Sequence, residues 1–231
     1  MKSIAITQSN YIPWKGYFDL IAHVDEFVLY DDAQYTRRDW RNRNKIKTPI
    51  GLKWLTVPVE SKGNYGQQIK ETRISGSDWA KSHWQLLNQN YRKSPFFQDI
   101  ENWLRPIYFD QRYILLSQLN KRLIEGVCDY LGIDTMISSS SDYELRGSAS
   151  DKLAGICEQA HADLYVTGPA AKDYVVEDCF LKKKVEIAWF DYDGYPEYDQ
   201  LWGAFEHRVT ILDLLFNCGK KSPNFMRYVA T

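Results

Sequence analysis

Three short stretches carry side chains able to do chemistry, and each directly follows an apolar run. Gln8, Ser9, Asn10 and Tyr11 come after the run 3–7, and Asp31, Asp32, Gln34 and Tyr35 after the run 27–30. The stretch Thr167-Gly168-Pro169-Ala170-Ala171-Lys172-Asp173-Tyr174 closes a third run. A fourth segment, residues 37–47, carries six basic groups against one acid, with Trp40, Asn42 and Asn44 interleaved.

Each has a chemical and a structural reading. The first stretch leads through Pro13 into an amphipathic pattern, and a helix N-terminus attracts anions such as phosphate. Gly16 would let a ligand or strand approach closely. Alternatively, the stretch is an ordinary turn with proline at the first helical position. The neighbouring aspartates can hold a divalent ion on phosphate oxygens, accept a proton or bind sugar hydroxyls, or they can simply stop a strand. Arginine forks grip phosphate in pairs of hydrogen bonds, and tryptophan stacks on a base or sugar. A charge run is more often a solvated face. Here no acidic block offsets it, so the segment reads as anion recognition. Lys172 can reach a phosphate or carboxylate, although 167–174 lacks the second glycine of either nucleotide-binding fingerprint. The four histidines stand at no ligand spacing and read as core or surface residues. No nucleophile motif is present, and no metal site is expected.

The elements that must position these groups read as alternating strands and helices. Strands are expected at 3–7, 27–30, 54–59, 135–137, 163–167 and 185–190, with Pro58 assigning 54–59 to an edge. Helices are expected from Pro13, over roughly 149–160, and from about 201 to 216. The stretch 78–131 is helical in three pieces, starting at Ser77 or Asp78 and at Ser94-Pro95, with a last stripe of Leu115, Leu119, Leu123 and Val127. The alternation predicts an α/β fold: a mostly parallel Rossmann-like sheet with helices on both faces, spanning 1–231 as a single domain, with a central helical insertion at 78–131. In such sheets ligands bind beyond the carboxyl ends of the strands, where the three polar stretches would converge.

Composition narrows the function classes. With 29 basic and 30 acidic residues the formal charge is −1. No overall field steers the chain to nucleic acid or membrane, so any basic site is local. Cys128, Cys157, Cys179 and Cys218 are widely spaced, with no C-x-x-C pair, and read as small hydrophobes. The N-terminus reads as a strand rather than a signal peptide, and no apolar run is long enough for a membrane span. These features place the protein in the cytoplasm.

The residues QSNYIPWKGYFDLIAHVDEFVLYDDAQYTRRDWRNRNKIK, from Gln8 to Lys47, resemble the opening of the WbqC-like family. The later pieces WLTVPV, HWQLLNQNYRKSPFF, ADLYVTGPAAKDYV and TILDLLFNCG resemble it in the same order. One departure is Ser9-Asn10, where the family commonly has proline. The resemblance implies a place in O-antigen or related surface-glycan synthesis, and a role as a glycine (aminoacyl) transferase on a nucleotide-linked amino sugar. Carried over position by position, it marks Gln8, Tyr11, Gly16, Asp31, Asp32, Gln34, Tyr35, Trp40, Asn42, Arg43, Asn44 and Lys47. It also marks Thr167, Gly168, Lys172, Asp173 and Tyr174. With Asn10 added, Asp31, Asp32 and Lys172 are expected to be catalytic and the others, Asp173 aside, to bind substrate. One aspartate would take the amine proton, the basic segment would hold a diphosphate, and Lys172 or loop amides would face the oxyanion. Glycine would arrive as glycyl-tRNA or as an adenylate made in place from ATP. Two other classes remain open: an ATP-dependent adenylyl- or nucleotidyl-transferring enzyme, and a non-catalytic binder of sugar nucleotides or RNA.

Overall fold

In the computed structural model, which describes residues 1–110 and 112–229, the apolar runs become strands that line up side by side. β1 (Ser3–Thr7), β2 (Glu26–Leu29), β5 (Met136–Ser139), β6 (Leu164–Thr167) and β7 (Glu186–Trp189) form one sheet in the order β5-β2-β1-β6-β7. Every pairing in it is parallel, with Thr7 opposite Leu29, Leu29 opposite Ser139, and Thr167 opposite Trp189. The fold is therefore mixed α/β and Rossmann-like.

Strand residues alternate between two apolar layers, as period-two geometry requires. Ala5, Phe27, Leu29 and Val166 face a layer containing α1 (Lys15–Ala22), α4 (Leu116–Leu131) and α7 (Ile211–Cys218). Ile4, Ile6, Val28 and Tyr165 face α5 (Ala149–Gln159) and α6 (Glu177–Leu181), through Leu153, Ile156, Cys157 and Phe180. α2 (Asp78–Tyr91) and α3 (Phe97–Phe109) add Leu87, Ile100 and Leu104 to the first layer. Tyr91 and Phe97 both stack on Phe216 of α7. All four cysteines are free.

Two elements differ from the sequence reading. Residues 43–56 form an antiparallel hairpin, β3 (Arg43–Thr48) with β4 (Gly51–Thr56), turned at Pro49 and Ile50, where Gly51 has φ +110°. Its inward face is built from Asn44, Ile46, Thr48 and Leu55, all buried, so polar residues conceal the strand period. The helix expected from 201 begins only at Ile211. Gly203 takes a left-handed φ of +58°, and Trp202 spends its indole N–H on the carbonyl of Asn90, so 201–210 is a packed loop. Among the described residues no helix is long and apolar enough to cross a membrane.

Candidate functional site

The strand order places β2 and β5 on one side of β1, and β6 and β7 on the other. The chain reverses direction across the sheet between β1 and β6, and a crevice opens beyond the strand ends at such a switch. A cleft of about 510 Å³ lies beyond the ends of β1 and β7, lined by the loop after β1, the segment leading into β3, the loop after β7 and the approach to α7. Its walls include Asn10, Trp14, Trp40, Asn44, Tyr192, Tyr195, His207 and Arg208.

Distant pieces of chain are tied at this mouth by backbone. Tyr11 N–H donates to the carbonyl of Trp40, Thr210 N–H to that of Lys45, and Ile211 N–H to that of Pro13. Ile12 holds φ +42°, a costly conformation for a β-branched residue. Asn44 stabilises that turn, its Nδ2 donating to the carbonyls of Tyr11 at 3.2 Å and Ile12 at 2.7 Å. The strain is thus held in place beside Asn10 and Trp14.

Two glycines shape the aromatic walls. A Cβ on Gly16 would lie 2.3 Å from the Trp14 ring, and one on Gly168 would lie 3.1 Å from that of Tyr192. Trp14 in turn meets Tyr192 and Tyr195 at ring separations of 5.5 Å each. Both glycines therefore admit protein rings rather than a ligand. Their effect on the cleft is indirect but direct on its walls.

Asn10 accepts a hydrogen bond on Oδ1 from Arg41, which leaves its amide N–H₂ as the donor side. Arg41 is 3.6 Å from Asp39 and shares its charge with buried Asp31. Burial is the largest influence on Asp31 and raises its pKa, while the Ser9 N–H at 2.9 Å and Arg41 pull the other way. Asn120 fastens this corner, donating to Ser9 Oγ and to the carbonyl of Arg41.

His207 is the group that sequence reading missed. Its ring is half-buried in the cleft wall, and its Nδ1 is buried with no hydrogen-bond partner among the described residues. Burial, then the charge of Lys15, hold its pKa below the ordinary histidine value. Both influences favour the neutral imidazole. Lys15 lies behind it in an aromatic cage: Nζ is 5.1 Å from the Tyr195 ring, 5.3 Å from Tyr198 and 5.9 Å from Phe205. It donates to the carbonyl of Pro196, and burial brings its pKa down to about 8. Phe205 joins the two, its ring edge-on to His207 at 4.5 Å. No motif marks His207; only the fold brings it here.

The expected site residues divide. Asn10, Trp40 and Asn44 line the cleft, and Gly16, Gly168 and Asp31 support it from behind. Tyr11 is fully buried, its hydroxyl bonded to His83 and Tyr108, so it is part of the core. Asn42 donates to the carbonyl of Val57, and Lys47 to Gln200 and to the carbonyl of Ala204. Gln8 offers its carbonyl to Tyr17, and Thr167 accepts from Tyr165. Gln34 donates to the carbonyl of Tyr65, and Tyr35 is buried. Asp32 is engaged by Lys70, Ser140 and Ser141; burial would raise its pKa, but these partners outweigh it and hold it below the usual carboxylate range. Lys172 lies over the Trp189 ring at 5.3 Å, and Lys172, Asp173 and Tyr174 are all exposed. None of these, nor Arg43, is among the residues lining the cleft. The two aspartates face different partners because the strand end turns between them.

The family model for the WbqC-like protein family matches residues 8–225. The chain belongs to the WbqC-like protein family. Within the family it is similar to the uncharacterized protein Rv1507c of Mycobacterium tuberculosis, with 56% identity over 228 residues, covering 99% of each chain. No solved structure matches it. The family match begins at Gln8, at the end of β1, and so includes every loop that builds the cleft of this WbqC-like protein.

Proposed function

We propose that this WbqC-like protein is an N-acyltransferase that moves a glycyl group from an activated ester or acyl phosphate to the amine of a nucleotide-linked amino sugar, in surface-glycan synthesis. One observation carries the reading. Beyond the ends of β1 and β7, an imidazole whose neutral form is favoured, a guanidinium and several aromatic faces share one cleft. Aromatic rings pack on sugar and base faces, and Arg208 supplies a fork for the diphosphate.

The step itself is simple to balance. The sugar amine must shed a proton as it attacks the glycyl carbonyl carbon; His207 takes it. A C–N bond forms, the C–O bond to the leaving group breaks, and the leaving oxygen takes the proton from His207. The Asn10 amide, turned by Arg41 so that its N–H₂ donates, stabilises the tetrahedral oxygen. Asp31 is a positioning residue, acting through Arg41. This replaces the base expected at Asp31 or Asp32 by a group inside the cleft.

The test is thermal unfolding of the protein with a panel of nucleotide-linked amino sugars. A ligand at about 100 times its Kd adds roughly 2.7 kcal/mol of stability. Incubation with that sugar nucleotide and an activated glycyl donor then yields a product heavier by one glycyl residue. A panel without a single stabilising sugar nucleotide overturns the reading.

A further inference from the structure

The outward face of the β3–β4 hairpin presents a row of cations laid on aromatic rings. Lys45 stands opposite Trp54 in the register, with Nζ 4.9 Å from that ring and 6.0 Å from the ring of Trp40. The Arg43 guanidinium lies 4.1 Å from the Trp54 ring centre, and the two indoles are 5.5 Å apart. Nearby, Arg37 lies 5.4 Å from the ring of Tyr65, which is exposed. Arg38 is exposed as well.

Three properties identify what this face takes. It is strongly basic: the segment 37–47 has one acid, Asp39, which is already held by Thr36, the Trp40 N–H and Arg41. The chain as a whole carries a formal charge of −1, so the patch is local and not part of a general positive field. Among the described residues Arg37, Arg38, Arg43 and Lys45 form no ion pair; Arg37 and Arg43 each donate to one backbone carbonyl, and the Nε of Arg43 is buried without a partner. Finally, the row runs straight into the cleft, because Trp40 belongs both to it and to the cleft wall. Guanidinium and indole planes that alternate along a track bind single strands, whose bases stack and whose phosphates meet the cations.

We propose that this face docks the single-stranded 3′ end of an RNA, whose terminal ribose enters the cleft past Trp40. The proposal rests on the acyl-transfer reading above and names its donor: an aminoacyl ester of that ribose. In the transfer, the glycyl carbonyl carbon leaves the ribose oxygen and bonds to the sugar nitrogen. The ribose oxygen then takes the proton that His207 removed from the amine.

The experiment measures fluorescence anisotropy of a labelled single-stranded oligoribonucleotide ending in CCA, with the full chain and over a range of salt. Binding through about four phosphates gives a slope near −3 in log K against log salt. Trp54→Ala weakens it by about 5- to 150-fold, the scale of one lost base stack, and Lys45→Glu, at a half-buried position on the outward face of the hairpin, weakens it by a change of charge rather than by the loss of a ring. Lys121→Ala, on α4, leaves it unchanged. Absence of binding by about 100 μM, the weak end of non-specific association, overturns the proposal. So does equal binding by all variants, or association with phosphatidylserine vesicles but not with RNA. Sugar-nucleotide stabilisation, measured on the same wild-type protein, separates the two ideas: its presence without RNA binding sinks only the RNA proposal, and RNA binding without it sinks the acyl-transfer reading.

Discussion

The two sides of the sheet's carboxyl edge use similar side chains to opposite ends. On the β2–β5 side, Asp32 is closed upon Lys70, Ser140 and Ser141. On the β1–β7 side, Asn10, His207 and Arg208 stand around an open cleft, and the Nδ1 of His207 has no partner among the described residues. A buried polar atom without a hydrogen bond costs free energy. Such atoms also occur away from the cleft, at Ser94 Oγ, Trp103 Nε1 and the Tyr130 hydroxyl, so what sets the β1–β7 side apart is the open space lined by polar and aromatic groups. Charge gathered at a strand end can thus be closed within the protein, as at Asp32, and does not by itself mark an open site.

The sharpest way to break this comparison is His207→Gln. Loss of a general base lowers the rate by about 10²- to 10⁴-fold, with sugar-nucleotide binding retained, because the amide keeps most of the ring's volume. Steady-state kinetics alongside thermal shift decide it. If Asp32→Asn costs as much in kcat as His207→Gln, the two sides are not different in kind.

Asp32→Asn should instead act on stability. Its ion pair is partly solvated, so the loss is about 1 kcal/mol, which lowers Tm by about 2–4 °C in a chain of this size. The sign with pH follows from the direction of its shift. A carboxylate held below its ordinary pKa contributes stability above that ordinary value and loses it as pH falls through the folded-state pKa. The variant should therefore lose less stability than wild type on acidification below the usual carboxylate range. Parallel wild-type and variant curves there would show that the closed network is electrostatically idle.

How much of this was legible in the sequence follows the same division. Apolar runs at 3–7, 27–30 and 163–167 became β1, β2 and β6, because strands buried on both faces need no polar alternation. Of the helical stripe at 115, 119, 123 and 127, Leu119, Leu123 and Val127 became the buried face of α4, while Leu115 is its extended N-cap. β3 was hidden because Asn44 and Thr48 face inward as polar side chains satisfied by backbone. The cleft was half legible: Asn10, Trp40 and Asn44 lie in a dense motif, whereas His207 falls in a stretch that reads as helix but folds as a loop, and it joins Trp14 in the cleft wall only through the fold. Gly16 and Gly168 drew notice as glycines, but what they accommodate, an indole and a phenol, is visible only in three dimensions.

The smallest effect is also the most specific. Lys15 sits behind the cleft wall, and its charge is one reason His207 titrates below the ordinary histidine value. Lys15→Met keeps an unbranched side chain in the cage of Tyr195, Tyr198 and Phe205 while removing the cation. Without that cation the imidazolium is easier to form, so the pKa of His207 rises. Because the base works only when neutral, the acid limb of the kcat/KM profile should move to higher pH, with the plateau little changed. A merely structural role for Lys15 predicts a lowered plateau and an unmoved limb. A limb that stays put with an intact plateau would mean that the caged ammonium does not reach His207, and that burial alone keeps the base of this site unprotonated.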